Sequence, residues 1–139
     1  MPDFDHLFHA FAALFAGGAA ASGWTASVIV ANISFDGLDH GRADRHLRQV
    51  LVASAGFQAA LLGVAAGFAV MSGATGAFIT AGLAALGFLS NIWTLAPRRD
   101  KTPEALKKRD SGRRVIAVAL TLMVTVVALT AAGLASFGV

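Results

Sequence analysis

His6 and His9 stand one helical turn apart near the start of the chain. Imidazole is a ligand for metal ions and for haem iron alike. The pair is therefore the candidate cofactor-binding element, with Met71 as the one soft group expected at the same depth. The competing reading is a plain pair at an interface, because metal sites draw on acidic or Cys partners and the chain has 0 Cys. The residues leave the identity of any cofactor open, and no metal site is assigned. A second group, His40 and His46 beside Asp36, Asp39 and Asp44, can hold a divalent ion weakly. A solvated loop with an Asp44–Arg48 helix-start pair explains those residues at lower cost.

Uncharged polar side chains form the other chemical candidates. Gln58 falls in the middle of an apolar stretch, where its amide needs a partner among Thr121, Thr125 and Ser22. Asn32 and Asn91 are expected at helix ends, as caps in the left-handed conformation. Together Gln58, Thr121, Thr125, Asn32 and Asn91 can form polar contacts or line a pore. No pattern pairs a nucleophile with a base or builds a phosphate loop. No catalytic residue is assigned and no enzyme activity is expected.

These groups are few because most of the chain is apolar. Of 139 residues, 56% are hydrophobic, with 15 Gly, 11 Lys or Arg and 8 Asp or Glu. Mean hydropathy is +0.68, too high for a disordered chain. Every basic residue lies in one of two stretches: Arg42, Arg45 and Arg48, then Arg98, Arg99, Lys101, Lys107, Lys108, Arg109, Arg113 and Arg114. Between and beside them run three tracts without Asp, Glu, Lys or Arg: 6–35, 49–97 and 115–139. A spanning helix needs about 20 apolar residues. The outer tracts each supply one span. The central tract supplies two, broken at Met71-Ser72-Gly73-Ala74-Thr75-Gly76, a turn signal.

The expected fold is all-α: an integral-membrane four-helix bundle in a single domain, 1–139, with helices at about 7–35, 48–71, 76–96 and 115–138. Basic loops at 36–47 and 97–114 join them into two hairpins of the same orientation. Positive loops stay inside, so both termini are expected on the outer side of a bacterial inner membrane. The absence of a basic start at Met1-Pro2-Asp3-Phe4-Asp5 argues for a retained span over a cleaved signal peptide. The eight basic residues of the second loop are expected at anionic lipid. Within that loop Thr102-Pro103-Glu104 reads as a helix start and Ser111-Gly112 as its stop.

Small residues at every fourth position let membrane helices approach closely. Ala55, Ala59, Gly63 and Gly67 form one such ladder, and Gly73, Ala77, Ala81 and Ala85 another. Phe4, Phe8, Phe11 and Phe15 share one stripe of the first helix, expected to face lipid or a partner, and Gly17-Gly18 is its expected bend.

None of the three apolar tracts holds Asp, Glu, Lys or Arg, which argues against pumps and proton-coupled exporters that work through embedded charge. Nucleic acid is not an expected partner. The expectation is a non-catalytic accessory subunit in a larger membrane complex or homo-oligomer. A passive carrier for a small or neutral solute is the first alternative, and a His-ligated cofactor subunit the second.

Overall fold

A computed structural model describes residues 2–37, 39–95 and 103–139. The described residues are all helix and short turn. α1 spans Pro2–Trp24, a π-helical turn spans Thr25–Ile29, and α2 spans Val30–Gly37. α3 spans His40–Met71, α4 Thr75–Leu95 and α5 Pro103–Phe137. α1, the π turn and α2 run on without a break. Four helical stretches are long and apolar enough to cross a membrane: Phe4–Ser34, Arg45–Met71, Thr75–Leu95 and Val115–Phe137.

The packing stripe repeats at alternating steps of four and three residues. In α4 the buried residues are Ala77, Ala81, Ala84, Phe88, Asn91 and Leu95. In α5 the same line runs Ala117, Thr121, Val124, Ala128, Ala131 and Ala135, with Thr125 buried beside it. This is the heptad spacing of helices packed nearly parallel or antiparallel. Most of these positions are Ala, so backbones approach closely. α1 packs on α3 and α5, and α4 packs on the same two, forming a ring of four rods.

Named contacts set the direction of each neighbour. Phe8, Phe11 and Phe15 of α1 stack on Phe68 of α3, with ring centroids at 6.1, 5.3 and 5.9 Å. Further along, Gly18 of α1 reaches Leu61 of α3, so these two helices are antiparallel. Gly87 against Val124 and Gly76 against Val139 make α4 and α5 antiparallel as well. Near one end Ala12, Ala69, Ala74, Ala77 and Ala135 cluster. At the opposite end Ala26, Leu47, Leu51, Leu95 and Ala117 do so. We refer to these as the His6 end and the Arg48 end.

Two glycines terminate helices. Gly73, at φ 73°, follows α3; the Ala74 N–H donates to the Ala69 carbonyl at 2.9 Å and the Gly73 N–H to that of Val70 at 3.1 Å. That pair of bonds is a Schellman cap. Gly138, at φ 74°, closes α5 in the same way, with Val139 N–H on Leu134 at 3.1 Å. The Val139 carbonyl then accepts the Ala77 N–H at 3.0 Å, a free donor in the first turn of α4.

Several local expectations shift. The chain is helical from His40 and again from Pro103, so much of both basic loops is helix. Gly112 does not stop α5, which runs through it into the apolar span; a single Gly inside a helix costs only about 1 kcal/mol. Gly17-Gly18 stays α-helical, and the departure falls instead at Thr25–Ile29. There the Val30 N–H reaches the Thr25 carbonyl, five residues back. The buried frame runs Ala12, Ala16, Ala19 and Gly23 along α1; inside the π turn Ala26 and Ser27 are both buried, and beyond it Ser34 is. One residue has been inserted, and the π turn absorbs it.

The Phe stripe turns three of its members onto Phe68, leaving Phe4 on the surface. The ladders also divide. Ala55, Ala59, Ala77 and Ala81 are buried and Ala85 is half-buried. Gly73 serves as the turn. Gly63 and Gly67 are exposed, with nothing within 4 Å of where a Cβ would stand. A helix advances about 100° per residue, so four-residue steps drift around the rod. Alternating steps of three and four keep Ala55, Gln58, Leu62, Ala65 and Ala69 on the buried line.

Candidate functional site

Two places gather polar side chains. The first is a band inside the bundle. Gln58 of α3 is fully buried and its Nε2 donates to Ser22 Oγ of α1 at 3.4 Å. One turn toward the Arg48 end, Asn91 Nδ2 of α4 donates to Thr121 Oγ1 of α5 at 2.7 Å. Thr121 and Thr125 return their own hydroxyl protons to the Ala117 and Thr121 carbonyls at 2.8 and 2.7 Å. Among the described residues three oxygens in this band are buried without a partner: Ser27 Oγ, Gln58 Oε1 and Asn91 Oδ1.

The band is tightly walled. A Cβ on Gly23 would collide with Thr125 Oγ1 and stand 3.3 Å from Phe88 Cζ. Phe88 itself is fully buried. The polar groups therefore join α1 to α3 and α4 to α5, each amide spending its donor on a neighbouring helix. Such bonds average about 0.6 kcal/mol in membrane bundles. Their main effect is to fix register, as polar residues do at heptad positions. Asn32 is exposed and lies apart from this band. Neither Asn caps a helix: each lies within one, and among the described residues only glycines have positive φ.

The second place is a half-open cavity of about 440 Å³ at the His6 end, lined by His6, His9, Ala10, Ala13, Ser136, Phe137 and Gly138. α1 supplies both imidazoles, which its turn of 3.6 residues sets on one face. The end of α5 supplies the opposite wall. His9 Nε2 and Cε1 lie 3.4 and 3.5 Å from where a Gly138 Cβ would stand. His9 Nδ1 is buried without a hydrogen-bond partner. Met71 is exposed and does not line the cavity. Among the described residues no three His, Cys, Asp or Glu side chains come together as a metal cluster.

At the Arg48 end the side chains tie helices together. His46 Nδ1 and Ser34 Oγ share a hydrogen bond at 3.0 Å. Arg48 of α3 donates to the Leu95 carbonyl in the last turn of α4, where a cation also suits the helix dipole. Arg42 and Arg45 are exposed. Arg98, Arg99 and Lys101 lie outside the described residues. So do the side chains of Lys107, Lys108, Arg109, Arg113 and Arg114, whose backbone belongs to α5.

Reading the sequence by single residues missed Ser27, because only the π turn brings it inside, and Ser136, Phe137 and Gly138, which meet His9 through the bundle's topology. A signal existed for the last three: Gly138 near the end of an apolar run is a helix-cap residue.

Four apolar spans around an alanine-lined core are the build of a helical, multi-pass membrane protein. Comparison with known proteins adds no name to that class: no family model, no curated protein and no solved structure matches the chain.

Proposed function

We propose that this chain is a non-catalytic subunit of a membrane assembly, packing against a partner protein or further copies of itself. The observation that carries the reading is the outward face of α3. Gly63 and Gly67 form a small-xxx-small pair on the outside of a bundle whose own core is already filled, with open space where each Cβ would stand. Such pairs let a second helix approach in lipid, where there is no hydrophobic drive to bring helices together. Against a conduit through one copy stands the interior itself, where the amides of Gln58 and Asn91 bond to neighbouring helices beside a buried Phe88.

In this reading the bundle sits in a bacterial inner membrane as two hairpins of one orientation. The His6 end, with both termini, faces outward, and the Arg48 end faces the cytoplasm. What supports the orientation is that all 11 basic residues fall in two stretches of the sequence, 42–48 and 98–114, beside the ends of the apolar tracts, the pattern the positive-inside rule reads as cytoplasmic. Those residues would meet anionic lipid.

Exposed apolar side chains such as Trp93, at 85%, and Met123, at 70%, then face lipid or the partner. Native electrophoresis in mild detergent tests the assembly. The wild-type chain should migrate in a particle larger than a monomer, and the Gly63→Ile, Gly67→Ile double variant should fall to monomer size with its helical content unchanged. A lone wild-type monomer that co-purifies with nothing overturns the proposal.

A further inference from the structure

We propose that the cavity at the His6 end binds a divalent late transition-metal ion, held by the imidazoles of His6 and His9. The two side chains line one cavity of about 440 Å³ from positions three residues apart on α1. That spacing sets β carbons about 5–6 Å apart, from which two rings can converge on one ion at about 2.0–2.1 Å.

Both rings are chemically free. No hydrogen bond to either is present among the described residues, and His9 Nδ1 is buried and unpartnered, a state that native structures rarely leave without a ligand or a role. The two rings differ in freedom. His9 is half-buried against Gly138, whereas His6 is exposed and can swing to meet an ion. By contrast His46, in the other histidine group, is already bonded to Ser34.

The walls define the class of ligand. Among the described residues no Lys or Arg lines the cavity, so a cation meets no fixed repulsion from them. None of the described lining residues is a carboxylate, which disfavours Ca²⁺ and Mg²⁺, since both want oxygen ligands. Imidazole alone suits Cu²⁺, Ni²⁺ and Zn²⁺, with Cu²⁺ the tightest. Two protein ligands leave coordination positions for water. The volume accommodates them, since each water takes about 30 Å³ of liquid. Such a site is open and exchangeable, unlike a closed four-ligand structural site. It goes beyond the assembly proposed above and can fail without it.

The test is calorimetric titration of Zn²⁺ into purified, tag-free, full-length protein in detergent, with Cu²⁺ electron paramagnetic resonance alongside. One Zn²⁺ per chain is expected. His6→Ala and His9→Ala should each weaken binding about tenfold or more, the range seen when a metal site loses a supporting group. His40→Ala, His46→Ala together should leave it unchanged. The Cu²⁺ spectrum should show two nitrogen ligands in the wild type and one in His6→Ala, a variant at an exposed position. Absence of saturable binding up to about 1 mM ion overturns the proposal. So does binding that survives loss of both His6 and His9, or that is lost with His40 and His46.

Discussion

Replacing Gly87 by Ala would place a methyl group 2.6 Å from Val124 Cγ2 and 3.1 Å from its Cγ1. Carbon atoms rest about 3.5–4.0 Å apart, so roughly 1 Å must be found between α4 and α5. Val124 is buried, at 7% exposure, and as a β-branched residue on a helix it has one strongly preferred rotamer. It cannot swing aside cheaply. Inserting a methylene into a packed core costs about 1–3 kcal/mol. Against this, Ala is favoured over Gly inside a helix by about 0.8–1.0 kcal/mol. Gly87→Ala should therefore fall between neutral and about 2 kcal/mol destabilising.

Gly82, on the same helix, has nothing within 4 Å of its virtual Cβ. Gly82→Ala receives the propensity gain without the clash. The difference between the two variants cancels the propensity term and isolates the steric one, about 1–3 kcal/mol. Reversible unfolding in mixed micelles by added SDS measures it. Val124→Ala removes the obstructing methyls, so Gly87→Ala made in that background should behave like Gly82→Ala. If Gly87→Ala is as stable as Gly82→Ala in the parent chain, the α4–α5 register described above is mistaken.

Two further outcomes follow from the polar band and from the charge pattern. A double-mutant cycle of Asn91→Leu and Thr121→Val should give a coupling of about 0.6 kcal/mol; a null coupling by the same unfolding assay would remove the Asn91–Thr121 bond as a link between α4 and α5. Because the chain has 0 Cys, single cysteines report topology cleanly. Ser136→Cys should react with an impermeant maleimide in intact spheroplasts, Arg42→Cys only after the membrane is opened, and the reverse pattern would invert the proposed orientation.

Which parts of this architecture can be read from residues alone follows from the range of the forces involved. The four spans are legible because each is a property of a continuous segment: long apolar runs fall at Phe4–Ser34, Arg45–Met71, Thr75–Leu95 and Val115–Phe137, close to the tracts that composition marks out. The turn at Gly73 is legible for the same reason, since a positive φ at a helix end is a local demand on one residue. Gln58 is legible as a buried amide, and Ser22 is among the partners its depth allows.

Facing is harder, because it depends on which neighbour arrives. The four-residue ladder through Ala55, Ala59, Gly63 and Gly67 treats α3 as straight and its partner as unspecified. Two partners, α1 and α4, flank α3 at once, and the buried line follows the steps of three and four that a near-parallel rod requires. Phe68 illustrates the same point. Nothing in its own segment says that Phe8, Phe11 and Phe15 will stack on it, because that depends on the antiparallel register of α1 and α3. That register also changes what the leftover residues mean. Once the core line is known, Gly63 and Gly67 stop being core residues and become the bare patch on which a partner is proposed to rest. The π turn at Thr25–Ile29 has a similar consequence: by shifting the frame one residue it carries Ser27 into the interior, where its hydroxyl joins two amide oxygens that have no partner within the bundle.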